Sequence, residues 1–93
     1  MVVGVLTLDV SIEGAFSLKE KRMVVNRIRD RVRNRFNVGV AEVDDNDVWN
    51  FACIGVVAVS NQQQHVNEVL SKVAEFVGNI RDCELEDYQI DFV

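Results

Sequence analysis

The hydrophobic pattern of this chain switches between the two-residue period of a strand and the period of about 3.6 residues of a helix, and the order of the switches leaves few folds open. Residues 2 to 10, VVGVLTLDV, are rich in β-branched side chains and apolar on both alternating faces, as a strand in the middle of a sheet must be. Gly14 breaks that pattern, and Ser17 then opens S-L-K-E, a capping box that predicts a helix from Leu18, with Glu20 reaching back to its cap. At 100° per residue, Leu18, Val25, Ile28, Val32 and Phe36 share one stripe with Val24 on its border. The segment NVGVAEVDD alternates again, with Val38, Val40 and, where the strand runs that far, Glu42 on one side and Gly39, Ala41 and Val43 on the other. Asp44, Asp45, Asn46 and Asp47 are turn formers, so the next apolar run, Val48 to Ser60, is expected to return as a hairpin. Ser60 or Asn61 is placed to cap a second helix in which Val66, Val69, Leu70, Val73, Val77 and Ile80 recur at helical spacing. After Gly78, ELEDYQIDFV alternates Tyr88, Ile90 and Phe92 as a last strand.

The resulting order, β-α-β-β-α-β, is the split-βαβ arrangement, so the fold class is α+β and ferredoxin-like. The first and third strands are the most apolar and belong in the centre. The second and fourth are interrupted by acids and belong at the edges. The expectation is a four-stranded antiparallel sheet in the order 4-1-3-2 with both helices on one face, forming a single domain over residues 1–93. The other face of the sheet is then open unless something covers it, and such faces serve as interfaces or binding platforms.

Charge is distributed far from evenly. The stretch from Lys19 to Arg35 holds eight basic and two acidic residues, a net +6, which leaves −11 for the remainder of a chain whose overall charge is −5. A local positive surface attracts phosphates or carboxylates on an acidic protein because salt screens each charge beyond ~8–10 Å. A chain of 93 residues that is 48% hydrophobic and 27% charged has ordinary globular composition, which excludes a disordered tail. No apolar run approaches the ~20 residues of a membrane-spanning helix. The segment MVVGVLTLDV has no basic start and runs into Asp9, so it does not read as a secretion signal, and a cytoplasmic setting is expected. Cys53 and Cys83 are accordingly expected to be reduced, with Cys53 as a small core residue.

Within this first helix all six basic residues after position 21 are arginines: Arg22, Arg27, Arg29, Arg31, Arg33 and Arg35. The planar guanidinium offers paired donors, is always charged and sheds water readily, which suits phosphate. On the helical wheel Arg22, Arg29 and Arg33 gather on one flank of the apolar stripe beside Asn26, and Lys19 extends that flank towards the N-terminus. Arg27, Arg31 and Arg35 occupy the far side. The competing reading is a solvated face laced by exchanges such as Asp30 with Arg27 or Arg33, each contributing only tenths of a kcal/mol.

Other candidates are weaker. Lys21 falls at the angle of the core stripe, so its stem should cover the core edge with the ammonium outside, or point into a polar cleft near residues 11 to 16. Trp49 and Phe51 are placed with Val57 and Val59 on the third strand, where sheets of this topology present stacking aromatics to RNA. The chain lacks the motif that accompanies such aromatics, which favours core or dimer packing. Glu42, Asp44, Asp45 and Asp47 lack the glycine and closing glutamate of a calcium loop and read as a turn. His65 is the sole histidine, so neither a histidine-rich metal centre nor a histidine-based triad is supported. No phosphate-binding glycine loop occurs, and no nucleophile, base and oxyanion donor can be assembled on named residues. The chain therefore reads as a non-enzyme with no metal and no cofactor.

Taken together, VVGVLTLDV, SLKEKR at 17 to 22, RNRFNVGVAEVD at 33 to 44 and DVWNFACIGVVAVSN resemble the YlxP-like family of small bacterial proteins over essentially the whole chain. That resemblance implies a ferredoxin-like fold without an established enzymatic activity. Genes of the family commonly lie among those for translation and ribosome maturation, which implies an RNA- or ribosome-associated role. The leading expectation is an RNA-phosphate contact made by Lys19, Arg22, Arg27, Arg29, Arg31, Arg33 and Arg35. The alternative is a homo-oligomer in which this helix meets an acidic edge of another copy, formed by Glu84, Glu86, Asp87 and Asp91.

Overall fold

The computed structural model describes residues 1–44 and 47–93. Its elements are β1 (Val2–Ser11), α1 (Leu18–Arg35), β2 (Gly39–Asp44), β3 (Phe51–Ser60), α2 (Gln63–Gly78) and β4 (Glu84–Phe92). They form one four-stranded antiparallel sheet in the order β2-β3-β1-β4, the order anticipated from which strands are most apolar. The turn expected over Asp44 to Asp47 includes Asp45 and Asn46, which lie outside the described residues.

Alternation along the central strands sorts their side chains cleanly. Leu6, Leu8 and Val10 of β1 and Ala52, Ile54, Val56 and Ala58 of β3 are buried beneath the helices. From α1 they meet Val25, Ile28 and Val32, and from α2 Val66, Leu70, Val73 and Val77. Burying each such side chain fully is worth roughly 1.5–3 kcal/mol, so this shared core holds both helices on one face. Gly4 leaves room for the α2 side chains above it: a β-carbon there would collide with Val66 Cγ1 and lie 2.9 Å from Leu70 Cδ1.

The start of α1 follows its capping box. Ser17 is extended and its Oγ accepts from the Glu20 amide at 3.2 Å, while Glu20 Oε2 accepts from the Phe16 amide at 3.4 Å. The box thus closes one residue further back than its simplest form. The cap expected for α2 is different. Ser60 is still paired with Val2 at the end of β3, so the N-cap is Gln62, whose side chain makes no capping bond. Ser60 Oγ instead accepts from the Gln62 amide at 3.4 Å.

Two further expectations are corrected. β3 begins at Phe51 and not at Val48, because β1 ends opposite it at Ser11 and the ladder closes with the Ile12 amide donating to the Asn50 carbonyl at 2.9 Å. Trp49 therefore lies in the bend before the strand and packs against Phe16, with ring centroids 6.3 Å apart. Cys53 is half-buried on the open face, opposite Asp9, because the core phase of β3 is taken by Ala52 and Ile54.

Candidate functional site

The buried face of α1 leaves its basic residues on both flanks and the back. Lys19, Arg22, Arg27, Arg31, Arg33 and Arg35 are exposed and Arg29 is half-buried. The flank expected to hold Arg22, Arg29 and Arg33 runs along the edge strand β2. There Asn26, Arg29 and Arg33 line a groove of about 350 Å³ whose opposite wall is Val40, Ala41 and Glu42. Arg33 Nη2 donates to the Val40 carbonyl at 3.2 Å, which ties the end of the helix to that edge, and Arg29 Nε donates to Asp30 at 3.3 Å. From Arg22 to Arg33 this row spans roughly 16 Å at the helical rise of ~1.5 Å per residue.

The far flank faces α2 and the loop before β4. Arg27 pairs with Asp82, and the Arg35 guanidinium lies 5.4 Å from the centre of the Phe76 ring. The first ties α1 to that loop and the second ties α1 to α2. Among the described residues, Lys19, Arg22 and Arg31 make no ion pair or side-chain hydrogen bond. The seven residues thus divide into a row along β2, a pair engaged with α2 and the loop, and side chains left to solvent.

Lys21 departs from both sequence expectations. It is only 1% exposed, and its Nζ lies 2.7 Å from Glu42 Oε2 on β2, with the Glu42 side chain 18% exposed. The stem does not carry the charge outward, and the residue does not line the cleft near residues 11 to 16. Glu42 shares the inner side of β2 with Val40, so the sheet delivers a carboxylate to the one core position of α1 that carries an ammonium. The signal was in the sequence: Lys21 in the apolar stripe and Glu42 in phase with Val40 are each costly alone and offset one another when they meet.

The cleft itself exists. Ile12, Ala15, Met23, Val24 and Cys83 form its apolar part, within a groove of about 600 Å³ edged by Arg27, Arg81 and several carboxylates. Burial pushes the Cys83 thiol above its ordinary value. Within the acidic tip Glu42 turns inward to Lys21, and among the described residues no three His, Cys, Asp or Glu side chains converge to hold a metal ion. His65 stands exposed on the first turn of α2.

The open face of the sheet is the opposite of basic. Its side chains include Val3, Val5, Val57, Val59 and Phe51 together with Asp9, Asp87 and Asp91, as the pairings Val3 with Val59, Val5 with Val57 and Asp91, Asp9 with Asp87, and Ser11 with Phe51 require. Its Asp9, Asp87 and Asp91 would repel a phosphate. No described helix is long and apolar enough to cross a membrane.

Comparison with known proteins agrees with this architecture. Residues 3–90 match the family model described as "Protein of unknown function (DUF503)". The uncharacterized protein YlxP of Bacillus subtilis (strain 168) is 35% identical over 83 residues, covering 89% of this chain and 90% of that protein. A de novo designed protein with a ferredoxin fold, solved by solution NMR, superposes with a TM-score of 0.60 at 10% identity, covering 100% of this chain and 84% of the design. That likeness to a designed chain concerns the backbone alone. Matched by the family model along almost its whole length and by a relative at similar coverage, this chain belongs to the DUF503 family.

Proposed function

We propose that this protein is a non-enzymatic binding protein whose α1 arginines contact RNA phosphates, in a ribosomal or translation setting. The observation that carries the reading is the flank of Arg22, Arg29 and Arg33 beside Asn26, of which Arg29 and Arg33 line the groove against β2 and Arg22 is exposed, while the apolar stripe of the same helix is spent on the core. Three guanidinium groups spread along about 16 Å suit an extended phosphate backbone better than one compact ligand. The translation setting rests on the resemblance to the YlxP-like family.

Affinity for a single-stranded RNA should fall steeply with salt. Three neutralised phosphates give a log-log slope of roughly −2, at about −0.7 per phosphate. The check is a fluorescence titration across salt concentrations, and binding that is absent at low salt, or flat with salt, refutes the reading.

A second reading is favoured by β4 being an edge strand with Glu84, Glu86, Asp87 and Asp91 all exposed. There α1 of one copy meets this acidic edge of another. Sedimentation at low and high salt separates the two, because charge-driven self-association dissociates as salt rises.

A further inference from the structure

The open face of the sheet carries two adjoining stripes of different chemistry. The β1–β3 pairing places Val3 beside Val59 and Val5 beside Val57, and Val57 and Val59 are 44% and 61% exposed. The β1–β4 pairing places Asp9 directly opposite Asp87 and puts Asp91 beside Val5. Glu86 joins them through the hydrogen bond it accepts from Ser11 Oγ at 2.7 Å. None of the side chains that this register assigns to the open face is a lysine or arginine.

Like charges directly opposed across strands are destabilising, and solvent-facing valines gain nothing where they are. The sequence could have relieved either conflict with a single lysine. A local conflict of this kind is expected where a surface is kept for a partner.

Charge and shape select among possible occupants. A second copy packed face to face would bring no cation to Asp9, Asp87 or Asp91, and desolvated carboxylates without partners are costly. Helix α1 of a second copy would bring arginines, but its apolar stripe is buried in its own core and Met23 is the one large apolar side chain it shows to solvent, 56% exposed. It could satisfy the carboxylates and leave the valines wet. We propose that the open sheet face docks a protein partner through a basic amphipathic helix, whose apolar side lies on Val3, Val5, Val57 and Val59 and whose lysines or arginines reach Asp9, Asp87 and Asp91. This surface lies across the sheet from α1, so such docking leaves the arginine row accessible.

A synthetic leucine–lysine amphipathic helix tests this, with a shuffled peptide of identical composition as its control. Binding is read by fluorescence anisotropy and mapped by amide chemical shifts. The amphipathic peptide should bind at least about tenfold more tightly than the shuffled one, because only it presents leucines and lysines as separate stripes. Shifts should fall on β1, β3 and β4. The variants Asp87→Lys/Asp91→Lys and Val57→Ser/Val59→Ser should each lose at least about tenfold while keeping a native spectrum, since all four changes are on the surface. Equal binding of the shuffled peptide, or shifts centred on α1 or α2, overturns the proposal. A concentration-dependent dimer that protects the same valines also overturns it, and assigns the face to a second copy.

Discussion

Replacing Glu42 with glutamine should destabilise the fold far more than replacing Lys21 with methionine, although both changes remove the same ion pair. At the 2.7 Å separation of Nζ and Oε2, Coulomb attraction is about 6 kcal/mol for an effective dielectric constant of ~20. Most of that is offset by the cost of taking both charges out of water, so neither variant exposes the full figure. The asymmetry comes from burial. Lys21 is 1% exposed and its ammonium cannot reach solvent without moving α1, whereas the Glu42 side chain is 18% exposed and swings outward from an edge strand. Glu42→Gln should therefore cost about 3 kcal/mol, the lower end of the ~3–5 kcal/mol for breaking a buried pair by removing one partner. Lys21→Met leaves a carboxylate that rehydrates and a thioether that packs among Val25 and Ile28, so about 1 kcal/mol is expected. For a domain of this size, ~1 kcal/mol moves the midpoint by roughly 4–8 °C, which makes the difference easy to read. Thermal and urea unfolding followed by circular dichroism would measure both. A Lys21→Met variant less stable than Glu42→Gln, or two variants within about 0.5 kcal/mol of the parent, would refute the reasoning.

Gly4→Ala should destabilise by ~1–3 kcal/mol, since the added methyl meets the stiff Val66 side chain and Leu70, and urea unfolding measures it. Ser17→Ala should cost about 1 kcal/mol through loss of the Glu20 amide's acceptor, read as a lowered midpoint, whereas Ser60→Ala should leave α2 formed, because Ser60 is not its cap. Because burial raises the Cys83 thiol in the folded state above its ordinary value of 9.0, the folded protein holds its proton more tightly than the unfolded chain. Stability should consequently fall as pH rises above about 9, and Cys83→Ser should flatten that slope in unfolding measured across pH.

The fold was legible because each local signal agreed with its neighbours. Apolarity on both faces placed β1 and β3 in the centre, acids placed β2 and β4 at the edges, and the capping box placed the start of α1 at Leu18. What was not legible depended on registers between segments. Nothing in Val48 to Asn50 shows that β1 ends opposite Phe51, so the strand was expected three residues too early. Likewise the turn chemistry of Ser60 is real, but pairing with Val2 claims that residue for the sheet. Cys53 sat in an apolar run whose phase only the buried Ala52 and Ile54 resolve.

The candidate site was legible in composition and incomplete in geometry. Helical spacing grouped Arg22, Arg29 and Arg33 on one flank, and the structure sets Arg29 and Arg33 against β2 with Asn26, while Arg22 is exposed and does not line that groove. Spacing could not show that Arg27 is held by Asp82 or that Arg35 lies over Phe76, because both partners are more than forty residues away in the chain. Their engagement with α2 and the loop before β4 leaves the β2-facing flank as the part of the helix on which the proposed phosphate contact rests.

Reversal of two charges in that row tests the central claim most directly. Arg22 makes no side-chain bond among the described residues and Arg29 bonds only its neighbour Asp30, so Arg22→Glu/Arg29→Glu alters the surface without unseating the helix. RNA recovered with the purified parent protein should be absent from this variant, while Arg27→Glu, on the far flank, should retain most of it. Equal RNA recovery from the parent and the Arg22→Glu/Arg29→Glu protein, both folded, would contradict the account.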